Sequence, residues 1–422
     1  MTAMQSVQPI SGKGVLANWR LAPKLLTAFL AVVIIPLGIF AMISVPQTRD
    51  ALLEQGATTL MSHTSSTGNA IEQYLLRHRE DIVANSLLPT FQNFAINPKD
   101  AQAQATALKE LKILSNKKFY ESIAIVNTDG TIILSSSDAD VNTNVQFRPY
   151  FIEAMKANAG YISDPSVSVV TNQPAIFFSA PILDSGGNIR AVIRSRLSLW
   201  GIWELVEGDK DVAGRGTYGL LLDDQGIRLA TSLSKNQRDQ VEGSLLLYSA
   251  IAPVPADVEK SIVSEKRFGN ATSSKVQVMA IPDVANAIAT HNIKTFETTS
   301  DNSPERHYAA MTTLSTKPWH YVLMTPLSTF TSTADTLRTI SIFIVVVVGA
   351  LTAILAIVLA RQITRPIIQL TKIADRISLG ELDAKIDIDR KDEIGELAEA
   401  ISRMQASLQA AIERLRARRS AG

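Results

Sequence analysis

Two uninterrupted apolar runs dominate the chain: LLTAFLAVVIIPLGIFAMIS at residues 25–44 and TISIFIVVVVGALTAILAIVLA at residues 339–360. Neither contains a charged residue. As a helix rising about 1.5 Å per residue, the second run extends roughly 33 Å, the thickness of a bilayer core. Pro36 interrupts the first run, and a proline is tolerated inside a membrane helix. The first run is too long for a signal-peptide core, and no A-x-A site follows it, so it reads as an uncleaved anchor.

Between the runs the period changes twice. Residues 47–88 predict one long helix, with Leu53, Ala57, Leu60, Thr64, Thr67, Ile71 and Tyr74 at three- and four-residue steps. Gly56, His63 and Gly68 dilute that stripe, which packs either on a twin helix or on its own domain. Strand patterns follow. ESIAIVNTDGTIILSSS at 121–137 is a hairpin turning at Asp129-Gly130, and PAIFFSAPILDSGGNIRAVIRSRLSL at 174–199 is another turning at Gly186-Gly187. RPYFIEAMKANAG lies between them as a short helix ended by Gly160. YGLLLDDQGIRLATS at 218–232 repeats the first hairpin, and HYAAMTTL with WHYVLMTPL forms a last pair around Lys317-Pro318. These repeats predict two similar modules in series, about 89–205 and 212–330, each built on an antiparallel sheet.

Beyond the second run the period returns to that of a helix. Ile363, Ile367, Leu370, Ala374 and Ile377 alternate four- and three-residue steps, and Ile394, Leu397, Ile401, Met404, Leu408, Ala411 and Leu415 alternate three and four. Two such seams joined by an extended linker bury themselves by parallel bundling with a second copy of the chain, so a homodimer is expected.

Composition narrows the function. The net charge is +1, which gives no bulk attraction to nucleic acid. With no cysteine, disulfides and thiolate chemistry are excluded, and the five scattered histidines form no HExxH or HxxxH pair. No G-x-S-x-G or metal motif is present, so no enzyme, metal or cofactor is expected. Lys13, Arg20 and Lys24 precede the first run, and Arg361 and Arg365 follow the second. Positive flanks remain in the cytoplasm. The expected organisation is a cytoplasmic segment at 1–24, a span at 25–45, an extracytoplasmic domain at 46–337, a span at 338–360, a two-helix region at 361–415 and a basic tail at 416–422. Both termini are then cytoplasmic in an inner-membrane protein.

In this order the chain resembles bacterial transmembrane receptors with a double Cache sensor and a HAMP relay. The HAMP resemblance rests on RQITRPI, LGEL and DEIGELA: Pro366 opens the first helix, Gly380 and Leu382 stand in the connector, and Glu393 with Gly395 begins the second helix. Ile394, Leu370, Leu397, Ile401, Met404 and Leu408 supply the seam. Pro366 suits a first helical turn, where its missing N–H costs nothing, and Glu393 favours the helix dipole. The Cache resemblance rests on NTDGTIILSS, FRPYFIEA, ISDPSVSVVTNQPAIFFSAPI and KPWHYVLMTPL. It implies an α+β, PAS-like fold, with the ligand usually in the membrane-distal module.

In the amine- and amino-acid-sensing branch of that family, Arg-x-Trp-Tyr and a later strand aspartate grip the ligand. Arg148 matches the arginine, Tyr150 and Phe151 replace the two aromatics, and Arg196 takes the aspartate's place. An ammonium grip is therefore missing. Val192, Arg194, Arg196 and Ser198 share one strand face, which is either solvent-facing or a pocket, and Ile193, Leu197 and Leu199 share the other. If the arginine face meets Arg148, it suits a small organic anion, with Tyr150, Phe151 and Tyr161 as walls. The expected function is a receptor that passes binding of a small molecule through the second span to a dimeric HAMP bundle. Only RARRSAG follows Leu415, so output falls to a missing domain or a separate cytoplasmic kinase, phosphatase or cyclase. The alternative is a membrane-anchored binding or adhesion protein with no signalling output.

Overall fold

The alternating stretches become strands of two antiparallel sheets. The computed structural model describes residue 19 and residues 21–156, 159–232, 248–269, 276–290, 294–300 and 303–420. Lys13, Arg20 and the last two residues of the basic tail lie outside the described residues. The chain separates into two compact units, Asp50–Ser332 and the combination of Met1–Arg49 with Thr333–Gly422.

In the first unit, one sheet holds β1 (Tyr120–Asn127), β2 (Ile132–Ser135), β3 (Tyr161–Ile162), β4 (Ser166–Val167), β5 (Pro174–Leu183) and β6 (Ile189–Ser198). Its order is β2-β1-β6-β5-β3, with β4 pairing β5 off that path. The second sheet holds β7 (Tyr218–Leu222), β8 (Arg228–Thr231), β9 (Thr295–Ser300), β10 (Ser303–Thr313) and β11 (His320–Pro326), in the order β8-β7-β11-β10-β9. Each sheet thus has a leading hairpin at one edge, its last strand at the centre and the same antiparallel pairing. The repeated hairpin text is a repeated topology. Strand β9 and the helices at 89–115 go beyond the elements that the sequence pattern predicts.

Helix α1 (Leu21–Ser86) runs without interruption from the first apolar run into this unit. Its apolar stripe packs on its own domain: Leu60, Ile71, Leu75 and Ile82 enter one buried cluster with Ile125, Phe178 and Ile193 of the first sheet and Leu221 and Leu323 of the second. Gly68, which diluted the stripe in the sequence, is a contact point. A Cβ there would lie 2.6 Å from Thr312 Cγ2. Further along α1, His78 meets the rings of Tyr120 at 5.4 Å and Phe178 at 5.6 Å. The second sheet therefore takes the earlier turns of α1 and the first sheet the later ones.

Helices α2 (Pro89–Ile96) and α3 (Ala101–Ser115) add Phe91, Phe94, Ala107 and Leu111 to the same cluster. Asp100 caps α3, its Oδ1 accepting from the amides of Gln102 at 2.8 Å and Ala103 at 3.2 Å. Asp100→Ala is expected to lower stability by about 1 kcal/mol in denaturant titration, the usual cost of a lost N-cap. On the opposite face of the first sheet lies α4 (Pro149–Lys156), whose Tyr150, Phe151 and Ala154 close on Ala124, Val126, Phe177 and Val192. Helix α5 (Trp200–Glu207) joins the sheets, and α6 (Ala256–Ser264) and α7 (Pro282–Thr290) belong to the second.

Helix α8 (Leu327–Leu359) begins at the end of the first unit and carries the second apolar run in the other. It and α1 are long and apolar enough to cross a membrane, and their apolar side chains, among them Val32, Met42, Phe343 and Leu351, are exposed. A π-helical turn, Ala360–Thr364, leads into α9 (Arg365–Ser378), with Pro366 in its first turn as expected. Gly380 adopts φ +95° after α9, a left-handed conformation suited to glycine. The connector then runs to α10 (Glu393–Ser420). Leu370, Ile377, Ala384 and Ala398 are buried between these parts, whereas Leu397, Met404, Leu408 and Leu415 stand exposed along α10. Glu393 occupies the first turn, but the helix is capped by its neighbour: Asp392 Oδ1 accepts from the Gly395 amide at 3.1 Å. Gln405 donates from Nε2 to the carbonyls of Leu382 at 2.6 Å and Ala384 at 2.9 Å, fixing the connector against α10.

Candidate functional site

Strand periodicity puts Arg194 and Arg196 on the face of β6 that α4 covers. In register, Arg194 lies between Ala124 of β1 and Ser179 of β5, and Arg196 between Ser122 and Phe177. Their side chains are 1% and 2% exposed, so this face is neither solvent-facing nor open. A buried guanidinium needs a counter-charge. Asp140, at the end of a 3-10 turn after β2, supplies it: Arg194 Nη2 donates to Oδ2 at 2.6 Å and Arg196 Nη1 to Oδ1 at 2.7 Å. Ser135 Oγ donates to the same Oδ2 at 3.0 Å. Arg196 Nε reaches Glu121 at 2.8 Å, and Arg194 Nη1 donates to Ser122 Oγ at 2.7 Å.

These contacts set the electrostatics. Burial alone would raise the Asp140 carboxyl, but Arg194 and Arg196 outweigh it and hold the group well below the usual carboxylate range. Glu121 moves the other way, because burial outweighs the pull of Arg196 and Arg194. Of the two readings of this strand face, solvent-facing does not hold: Arg196 is buried and already bonded to Asp140 and Glu121. Sequence reading passed over Asp140 because SSSDADVNTN reads as a polar turn. The available signal was chemical, since two inward arginines on one strand require an acid nearby.

Arg148 enters the same region from the N-terminus of α4. Its side chain is 2% exposed. Nη1 donates to the Glu265 carbonyl and Nη2 to the Val167 carbonyl, each at 3.1 Å. Among the described residues no carboxylate pairs with it. Burial, the largest influence, lowers its pKa, the nearby Tyr150 and Glu265 oppose that shift, and the guanidinium stays charged. Tyr150 stacks on Phe177 with centroids 4.6 Å apart, and Arg194 lies 5.8 Å from the Phe177 ring centre. Phe151 is buried in the same apolar cluster as Tyr150 and Phe177. Tyr161 is half-buried with Lys317 Nζ 5.8 Å from its ring centre. Thus Arg148, Arg194 and Arg196 converge on the stacked Tyr150 and Phe177, Phe151 lies in the same buried cluster, and Tyr161 stands toward the second sheet. The cavity beside Arg148, walled also by Tyr150, Asp164, Glu265 and Arg267, measures about 20 Å³, room for about one water.

Two five-strand paths of equal order, a helix threading both and a paired-helix region after an apolar helix define a tandem sensor module with a relay. The Cache domain profile matches residues 45–334, well over half of the chain, and the HAMP domain profile matches residues 358–410. The chain belongs to the Cache domain family and has the architecture of a transmembrane signal-transduction receptor. Its fold is similar to the sensor domain of the V. cholerae histidine kinase DctB, with a TM-score of 0.51 at 13% identity over 66% of this chain and 98% of that one. A Campylobacter jejuni structure, the ligand-binding domain of chemoreceptor Tlp3 in complex with 4-methylisoleucine, gives a TM-score of 0.48 at 14% identity over 68% and 96%. Among curated proteins, a sensory transducer of Acetivibrio thermocellus is 42% identical over 74 residues, and the Bacillus subtilis sensor histidine kinase CssS is 42% identical over 67. Those stretches are 17% and 16% of this chain, and 13% and 15% of the two relatives.

Proposed function

We propose that the chain is the sensing and relay part of a non-enzymatic membrane receptor whose first module, about 89–205, binds a small organic anion. The carrying observation is Arg148, a buried guanidinium with main-chain carbonyls as its hydrogen-bond partners. Three arginines converge on the Tyr150–Phe177 floor, and two of them are balanced by Asp140 and Glu121. An incoming carboxylate restores the balance at the third by a fork of charge-assisted hydrogen bonds. Arg194 Nε, buried without a partner, is a further unused donor. The small cavity implies that binding opens the site, which makes it a selective event: the ligand favours the open form by its differential affinity.

In this reading Asp50–Ser332 is extracytoplasmic, with the first module membrane-distal because it packs on the later turns of α1. Both termini are cytoplasmic. The exposed α10 seam at Leu397, Met404 and Leu408 is buried against a second copy, and output passes to a cytoplasmic signalling partner. Thermal shift of the full chain in nanodiscs, against a panel of small carboxylates and amines, tests the proposal. Acids at 100-fold over Kd should stabilise by about 2.7 kcal/mol. Arg148→Ala should abolish that response. Stabilisation by amines alone, or an acid response that survives Arg148→Ala, refutes it.

A further inference from the structure

Residues 163–168, SDPSVS, are held from both sides. Toward the first module, the Ser163 amide donates to the Phe177 carbonyl at 2.9 Å, and Ser163 Oγ accepts from the Phe177 amide at 3.0 Å. Val167 offers its carbonyl to Arg148, and Ser168 Oγ accepts from Arg196 Nη1 at 3.4 Å. Both charged ends of the arginine site therefore touch this one segment.

Toward the second module the same six residues are bound again. The Val167 amide donates to the Arg267 carbonyl at 2.7 Å, and Arg267 Nε donates to the Pro165 carbonyl at 3.3 Å. Arg267 is anchored in its own module by Asp223 at 2.7 Å. Asp164 Oδ1 pairs with Lys317 Nζ at 2.9 Å and accepts from Trp319 Nε1 at 3.1 Å. Pro165 restricts Asp164 to an extended backbone, so the segment cannot relax into a helical turn.

Lys317 and Trp319 lie in the turn that begins β11, and Trp319 is buried. That turn is also gripped by α1: Glu72 accepts from the amides of Ser315 at 3.2 Å and Thr316 at 2.9 Å. Strand β11 ends at Pro326 and α8, the second apolar helix, starts at Leu327. One short strand thus joins this turn to the helix that leads to the paired-helix region.

We propose that residues 163–168 are a strap transmitting the state of the arginine site to the 315–319 turn, and so to β11 and α8. The proposal rests on the first module being the sensor, but it is tested without a ligand, so the two can fail separately. The physical requirement is a continuous set of contacts with two arrangements, biased from one end. Arg148→Ala removes the bonds to Val167 and Glu265 and slackens the strap at its sensing end. Asp164→Asn removes the charge at its far end.

Hydrogen exchange of the full chain in nanodiscs reads the outcome. In Arg148→Ala, protection of the Ser315 and Thr316 amides should fall about tenfold, while the 127–131 hairpin turn keeps its protection and reports an intact fold. In Asp164→Asn, the same amides should already be exposed, and adding Arg148→Ala should change them no further. Arg148→Lys, which keeps the charge, serves if the alanine variant does not fold, and should give the same pattern with a smaller amplitude. Loss of protection confined to residues 145–168, or effects at 315–316 that simply add in the double variant, overturns the strap. If the strap pattern holds but no carboxylate stabilises the chain, the ligand assignment alone is refuted.

Discussion

Asp140→Ala is expected to cost about 3–5 kcal/mol, the largest loss from any single change in the first module, because it leaves two buried arginines without their shared acid. Asp140 is 0% exposed and bonds both Arg194 and Arg196 within 2.7 Å, so water cannot replace it without opening α4. Asp140→Asn keeps the shape and removes only the charge, and should recover little of the loss. The pH dependence follows from the depressed carboxyl. A folded-state pKa below the ordinary value of 3.8 means that the stabilisation from the ion pairs is fully present above pH about 4 and declines from there as the pH falls toward and through the folded value, because the unfolded carboxyl takes up its proton first. Chemical denaturation at pH 7 and pH 3.5 checks both points: the wild-type chain should lose more stability across that interval than Asp140→Asn. Equal losses would mean that Asp140 does not hold the arginines as a carboxylate.

Gly395→Ala is expected to destabilise the relay region, against the sign that helix propensity gives. Propensity alone would favour alanine by about 0.5–1 kcal/mol inside a helix. Here an added Cβ would press on the Arg390 carbonyl oxygen and lie 2.7 Å from its carbonyl carbon. Backbone cannot swing aside as a flexible side chain can, so the overpacking cost of about 1–3 kcal/mol prevails. The displaced Arg390 also holds Asp392, the cap of α10, at 2.5 Å and the Gln362 carbonyl of the π-helical turn at 2.7 Å. One methyl therefore disturbs the connector, the cap and the junction with α8 together. Exchange of the 390–396 amides should rise in the variant. Ala400→Gly, on the exposed face of α10, should weaken the helix without that local pattern. A stabilised Gly395→Ala would show that the close approach is not maintained.

Much of this was legible because its causes are local. The period of three and four steps announced α1, α9 and α10, and Asp129-Gly130 announced the first hairpin turn, where Gly130 adopts φ +86°. Strand alternation put Arg194 and Arg196 on one face of a strand but left open whether that face met solvent or a pocket. Their partner was not legible, since Asp140 is 54 residues from Arg194 and a turn aspartate looks the same whether it faces water or two arginines. Gly68 misled in the same way: as composition it weakens a stripe, and as geometry it admits Thr312. Asp392 was overlooked beside Glu393 because a cap depends on which side chain turns back to the amides.

The sequence by itself determined the two apolar helices, the order of the two sheet modules and the paired helices beyond, because each follows from a repeat read within a few residues. Only the tertiary structure decided which acid neutralises the arginines, how α1 is shared between the sheets, and that residues 163–168 tie Arg148 to Lys317 and Trp319. Those outcomes depend on contacts across up to 244 residues, and a buried charge is settled by whichever partner the fold brings within hydrogen-bond reach.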